Sequence, residues 1–190
     1  MNSVVPISQD DLLLIPRGKL VLDAGAGNGY FSRLIQDAGN GVICLEIVTE
    51  LIEHCRANGL TVLLQADLNK NMPFLDNTFD VVFSRTVIEH LFNPWVFFAE
   101  AHRVLRPGGE FIVTTSNKSQ LKARIVCALG RQRLDHDTKD FTSRNLRQLL
   151  RDSGFEAEVR PFLGRHPLAR LARRLWTDFS PAIIGIGRKL

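Results

Sequence analysis

The stretch Val21-Leu22-Asp23-Ala24-Gly25-Ala26-Gly27-Asn28-Gly29-Tyr30-Phe31 decides the fold. It reads as an apolar strand end, an acid, a glycine-spaced turn and the start of a helix. Gly25 and Gly27 let the backbone turn sharply and let a ligand approach with no Cβ in the way. Asp23 sets a carboxylate at the strand's tip, beside that approach. The dinucleotide fingerprint G-x-G-x-x-G is the obvious competitor. This turn departs from it, because Gly29 comes one residue too early and Tyr30 stands where the third glycine belongs. The loop better suits a nucleoside carrying no pyrophosphate.

Outward from the turn, strand-like and helix-like segments alternate. Leu20 to Asp23 is the first strand. Phe31, Leu34 and Ile35 recur at helical spacing between Tyr30 and Ala38, and Gly39 follows as a stop signal. Gly41 to Ile47 is a continuous apolar run, as expected of a parallel strand buried on both faces. Further helices are expected at Thr49 to Asn58, Pro94 to Leu105 and Thr142 to Asp152. Further strands are expected at Thr61 to Gln65, Phe79 to Phe83, Glu110 to Thr115, Ala157 to Phe162 and Pro181 to Arg188. Such alternation implies an α/β fold, a doubly wound, mostly parallel sheet with helices on both faces. Ligands in such sheets bind at the carboxyl ends of the strands, near the point where strand order reverses.

Those ends carry Asp23, then Glu46-Ile47, then Asp67-Leu68, then Ser84-Arg85. Glu46 lies about twenty residues past the turn, where an acid can accept both ribose hydroxyls. Ile47 offers an apolar face to an adenine, and Asp67 can accept from an exocyclic amine. The set describes a pocket for an adenosine with a cationic extension.

Five segments agree in kind, order and spacing with one family: VLDAGAGNGYFS, VICLEI, QADLNKNMPFLDNTFDVVFSRTVIEHL, RVLRPGGEFIVTTSN and FTSRNLRQLLRDSGF. The chain resembles the class I S-adenosylmethionine-dependent methyltransferases, in their small-molecule branch, from about Leu20 to Val159. The resemblance implies a Rossmann-like seven-stranded sheet whose last strand is antiparallel and inserted beside the fifth. It also implies S-adenosyl-L-methionine as cofactor. Asp23, Gly25 and Gly27 would surround the methionine end, and Glu46 with Ile47 would meet the ribose and adenine. Asp67 with Leu68 would frame the adenine, and Ser84 at the fourth strand's end completes the cofactor set.

Methyl transfer from a sulfonium needs mainly proximity and alignment, plus a base when the nucleophile is a protonated hydroxyl or ammonium. His90, just past the fourth strand, and His136, in Asp135-His136-Asp137, are the candidate bases. For His90 the plainer reading is a packing residue, and for His136 a loop or lid residue. Arg85 is a candidate fork for an acidic substrate. Asp135, His136, Asp137 and Asp140 are ligand types compatible with a metal, but no partner motif accompanies them, and no metal site is expected.

The 190 residues favour one domain, residues 1–190, with a core at about 20–159. Segments 119–140 and 163–180 are expected to build the acceptor side. An odd count of three cysteines, Cys44, Cys55 and Cys127, without CxxC spacing reads as buried free thiols of a reducing cytosol. The net charge of +4 gathers late, in Arg165, Arg170, Arg173, Arg174, Arg188 and Lys189. Residues 167–176 read as a basic amphipathic helix. It either covers the body with its apolar face or makes a peripheral membrane contact with its arginines. Neither a D/N-P-P-Y/F segment nor a Pro-Cys pair follows the fourth strand, which argues against DNA base methylation. The reading is therefore methyl transfer to a small-molecule acceptor, lipid-linked or anionic. The alternatives are a non-catalytic cofactor-binding subunit and an RNA or protein methyltransferase.

Overall fold

The computed structural model describes residues 15–117, 140–162, 180 and 182–190. Seven strands form one sheet: β1 (Leu20–Ala24), β2 (Gly41–Glu46), β3 (Leu63–Gln65), β4 (Phe79–Arg85), β5 (Leu105–Ser116), β6 (Phe155–Phe162) and β7 (Ala182–Lys189). Their order is β3-β2-β1-β4-β5-β7-β6. The strands β1 to β5 are parallel to their neighbours. β7 runs antiparallel to both β5 and β6, so the expected insertion beside the fifth strand is present. The strand order reverses between β1 and β4, and the glycine turn follows β1 at that reversal.

Among the described residues the helices are α1 (Tyr30–Asp37), α2 (Thr49–Ala57), α3 (Pro94–Val104) and α4 (Ser143–Asp152), with a 3₁₀ turn at Ile88–His90. Pro94 opens α3 at a position where a missing N–H costs nothing. Thr142 and Asn145 close a capping box at the start of α4.

Alternation along the strands separates two apolar clusters. Leu22, Val82, Phe111 and Val113 point to one face, and Val21, Val81, Phe83 and Ile112 to the other. On the first face Phe97, Phe98 and Phe111 meet edge to face at 5.0–6.1 Å between ring centroids, a geometry favoured by the ring quadrupole.

The strands differ from their sequence-based bounds by one or two residues at an end, and β5 by more. β5 begins at Leu105 rather than Glu110, because Leu105 pairs with Phe79 and the Pro107-Gly108-Gly109 stretch is absorbed as a register shift. β3 begins at Leu63 rather than Thr61; it lies at the sheet edge and pairs with β2 alone. Asp80, at the foot of β4, is structural: its carboxylate accepts from the Leu20 amide at 2.8 Å and meets Arg106 at 3.3 Å.

Candidate active site

The glycine turn is held by the neighbouring strand. The amides of Gly25 and Ala26 both donate to the Leu45 carbonyl, at 2.9 and 3.0 Å. Gly25, Gly27 and Gly29 all have positive φ, so any side chain would strain the loop. A Cβ at Gly25 would sit 2.3 Å from Val87, and one at Gly29 would strike Leu60 and Cys55 of the α2 region. A Cβ at Gly27 would meet nothing within 4 Å, so that glycine faces open space.

A cavity of about 510 Å³ opens at this point, over the carboxyl ends of β1, β2 and β4. Asp23, Glu46 and Asp67 all line it, although they come from three different strand ends. Ile47 and Leu68 line it as well, with Arg85 and His90 on the side of β4 and the 3₁₀ turn.

Each acid is held differently. Asp23 is 2% exposed and accepts from the Ser32 hydroxyl on α1. Burial pushes its pKa up to about 7, with Ser32 and Arg85 pulling it down and Glu46 raising it further. Glu46 clamps the loop: Oε2 accepts from the Gly27 amide at 2.8 Å, while Oε1 accepts from Ile47 at 2.8 Å and Val48 at 3.1 Å. Two amides therefore fill Oε1, and Oε2 keeps one lone pair toward the cavity. Asp67 Oδ1 accepts from both the backbone and the side chain of Asn69 at 2.9 Å, which holds its carboxyl below the usual range. Its Oδ2 has Lys70 only at 3.9 Å.

Ser84 is placed elsewhere. It is fully buried in β4, its hydroxyl donates to the Ala24 carbonyl at 2.9 Å, and it is not among the residues lining the cavity. The strand's pleat turns Ser84 away and brings Phe83 and Arg85 in. His90 is exposed at the cavity. His136, Asp135, Asp137 and Cys127 lie outside the described residues, as do positions 118–139 and 163–179, which include the basic stretch 167–176. Cys44 and Cys55 are buried free thiols, and burial raises the Cys44 thiol to about 12.

Sequence reasoning passed over three contributors. Ser32 and Phe31 sit in the first turn of α1, where an apolar-spacing argument reads only packing. Asn69, two residues after Asp67, fixes that acid and accepts from the Asn93 amide at 3.1 Å. An Asp that accepts from the amide two residues on makes such a side-chain turn, and Asp67 at a strand end is a residue type that favours it.

A family model described as "Methyltransferase domain" matches residues 22–113, the span that runs from β1 into β5 and contains every described residue of the cavity. Over these residues the chain is similar to the class I S-adenosylmethionine-dependent methyltransferases. A Mycolicibacterium smegmatis protein named "Probable S-adenosylmethionine-dependent methyltransferase" is 37% identical over 143 residues, covering 74% of this chain and 53% of that one. A ubiquinone biosynthesis O-methyltransferase of Methylococcus capsulatus is 29% identical over 164 residues, 80% of this chain and 69% of that one. The crystal structure of a SAM-dependent methyltransferase from Thermotoga maritima superposes with a TM-score of 0.75 at 20% identity, over 96% of this chain and 87% of that one, and shares the fold. The chain spans about half the length of the first curated relatives it matches.

The donor set fits the family's cofactor. Three carboxylates can take an ammonium, ribose hydroxyls and an exocyclic amine, and Ile47 and Leu68 provide apolar surface for a base.

Proposed function

We propose that this protein transfers the methyl group of S-adenosyl-L-methionine to an oxygen of a small-molecule acceptor that is anionic or lipid-linked. The observation that carries the reading is the convergence of Asp23, Glu46 and Asp67, from three strand ends, on one cavity beside the open face of Gly27. The bound cofactor supplies an already activated sulfonium methyl, so the protein's task is alignment and desolvation. Asp23 offers its buried carboxylate to a cation, Glu46 offers its remaining lone pair to a ribose hydroxyl, and Asp67 offers Oδ2 to an amine. His90 lines the same cavity, and in this reading it takes a proton from an acceptor hydroxyl. A carboxylate acceptor would need no base.

Oxygen is favoured as the acceptor atom by the names of two relatives. One is the ubiquinone biosynthesis O-methyltransferase. The other is a malonyl-[acyl-carrier protein] O-methyltransferase of Hamiltonella defensa, 36% identical over 103 residues. Apolar Phe31, Phe83, Leu91 and Phe92 around Arg85 and His90 suit an acceptor with an apolar body. Arginines 170, 173 and 174 beside Leu171, Leu175 and Trp176 support a peripheral membrane contact as part of the same proposal. Among the described residues no helix is long and apolar enough to cross a membrane.

Calorimetry with S-adenosylmethionine and NAD, followed by radiolabelled methyl transfer to a panel of phenols and carboxylic acids, tests the reading. Binding of the sulfonium but not NAD, with label entering an acceptor, is expected. Cofactor binding without transfer to any acceptor would favour a non-catalytic subunit, and transfer to RNA or protein alone would overturn the small-molecule acceptor. Sedimentation with anionic but not neutral liposomes, lost on combining Arg170→Glu, Arg173→Glu and Arg174→Glu, checks the membrane contact.

A further inference from the structure

We propose that Thr86 is an acceptor-binding residue: its hydroxyl oxygen receives a hydrogen bond from a hydroxyl of the methyl acceptor and so selects a hydroxyl-bearing acceptor over a carboxylate. The proposal rests on the oxygen-methylation reading above and narrows it. The first argument is backbone conformation. Among the described residues, ten positions have a left-handed φ. Eight are glycine, one is Asn77, and the tenth is Thr86 at φ 49°. Glycine takes this conformation freely and asparagine tolerates it, but a β-branched side chain is strained there. Thr86 is therefore the exception among the turns of this chain.

The fold needs the conformation at this position but not the threonine. Left-handed Thr86 ends β4 and turns the chain, so that Val87 lies against Gly25 and the 3₁₀ turn at Ile88–His90 begins. The Thr86 amide donates to the Thr114 carbonyl at 2.9 Å, a bond any residue but proline can make. The side chain is exposed, so core packing does not select it. A glycine would make the same turn without strain. Strain kept at the wall of a cavity points to a task for the side chain that causes it.

Hydrogen bonding indicates what that task is. Thr86 lines the cavity together with Arg85, Val87 and His90. Its hydroxyl donates to the Arg85 carbonyl at 2.8 Å. A hydroxyl has one proton and two lone pairs, so the donor is used within the chain and the oxygen offers a ligand only acceptor capacity. That capacity matches an O–H and opposes a carboxylate, which brings no proton to the contact. The guanidinium of Arg85 already has Asp23 and Glu89 as negative neighbours, which lessens its pull on a carboxylate.

The test pairs radiolabelled methyl transfer with calorimetry and melting curves. The probes are two matched series, phenol with 4-butylphenol and benzoate with 4-butylbenzoate. Wild type should methylate the phenols in preference to the benzoates. Thr86→Val keeps the shape and loses the hydroxyl, and should raise KM for the phenols by about five- to tenfold. Thr86→Gly should show the same rise in KM while its melting temperature increases, because the strain is gone. Thr86→Ser restores the hydroxyl and should stay within about threefold of wild type. S-adenosylhomocysteine affinity should stay within about twofold in all three variants. Phenol methylation that is unchanged in both Thr86→Val and Thr86→Gly would overturn the assignment. So would transfer to the benzoates alone, a result that leaves oxygen methylation standing. A loss of S-adenosylhomocysteine affinity matching the loss in transfer would overturn it too, by placing Thr86 on the cofactor. A wild-type protein that binds S-adenosylhomocysteine but methylates neither series would overturn the oxygen-methylation reading and this role with it, and one that binds no S-adenosylhomocysteine would overturn the cofactor reading itself.

Discussion

Asp23 is a carboxylate at 2% exposure whose pKa of about 7 stands well above the ordinary 3.8. The folded protein therefore keeps a proton there that the unfolded chain has lost. The stability this adds is complete below about pH 4 and declines as pH rises toward and through 7. In the ligand-free protein, Asp23→Asn should gain thermal stability relative to wild type as pH is raised from 5 to 9, read from paired melting curves. A bound cation has the opposite preference and favours the ionised form. Cofactor affinity should thus rise between about pH 5.5 and 8, with proton release detectable by calorimetry in buffers of different ionisation enthalpy. A flat profile would show that Asp23 faces no cation. Glu46 is a second residue with two tasks. Glu46→Gln puts an N–H₂ where an acceptor stood and forfeits at least one of three amide bonds, those of Gly27, Ile47 and Val48. The expected cost is about 1–3 kcal/mol in stability together with weaker cofactor binding, measured by denaturant melts and calorimetry. His90→Gln should slow transfer to a hydroxyl acceptor by at least about tenfold and leave transfer to a carboxylate unchanged.

Two cations, Arg103 and Lys189, tie elements of the fold to one another. Arg103, near the end of α3, reaches both oxygens of Glu100 at 2.7 Å, Asp76 at 2.7 Å and the carbonyls of Phe74 and Met72. Glu100 in turn accepts from the Met72 amide at 2.6 Å. This network pins the connection between β3 and β4, which also carries Asp67, Leu68 and Asn69. Arg103→Met leaves the buried Glu100 without its counter-charge. A loss of about 2–3 kcal/mol is expected, discounted for Arg103's partial exposure, with reduced cofactor affinity alongside. Unaltered affinity in a destabilised variant would separate the loop's stability from its binding role. Lys189, near the end of β7, donates to the carbonyls of His102 and Leu105 at 2.8 Å and to Asn77. It neutralises the carbonyl end of α3, a favourable place for a cation.

Across the whole molecule, the antiparallel β7 depends on having little side chain where α4 crosses it. A Cβ on Gly187 would stand 2.8 Å from Phe155 and 2.9 Å from Leu150, and one on Gly185 would stand 3.1 Å from Leu146, Leu150 and Val113. These glycines let the helix settle on the sheet. Gly187→Val should overpack this contact at a cost of about 1–3 kcal/mol, visible as a lower urea midpoint. Because β7 lies between β5 and β6, the damage should spread to the sheet's far edge and leave the β1–β2 side, and hence cofactor affinity in the folded fraction, little changed.

Residues close in the chain were enough for the alternation of strands and helices, the glycine turn, and the acids at the strand ends. Each is a local fact: hydrophobic period, backbone freedom at glycine, and a polar residue where an apolar run stops. The placement of Asp23, Glu46, Asp67 and Arg85 around one cavity was legible only because parallel strands put their carboxyl ends on one side. Tertiary structure decided the rest. Ser84 and Arg85 are neighbours in sequence, yet the pleat turns one into the sheet and the other to the cavity. Asp23 became a proton-binding group because the surrounding core excludes water from it, against the pull of the Ser32 hydrogen bond, a property no single-residue signal carries. Glu46 gives Oε1 to its own neighbours Ile47 and Val48, but its bond to the Gly27 amide depends on where the chain folds back. Burial and pairing belong to the neighbours a residue acquires, and those come from distant parts of the chain.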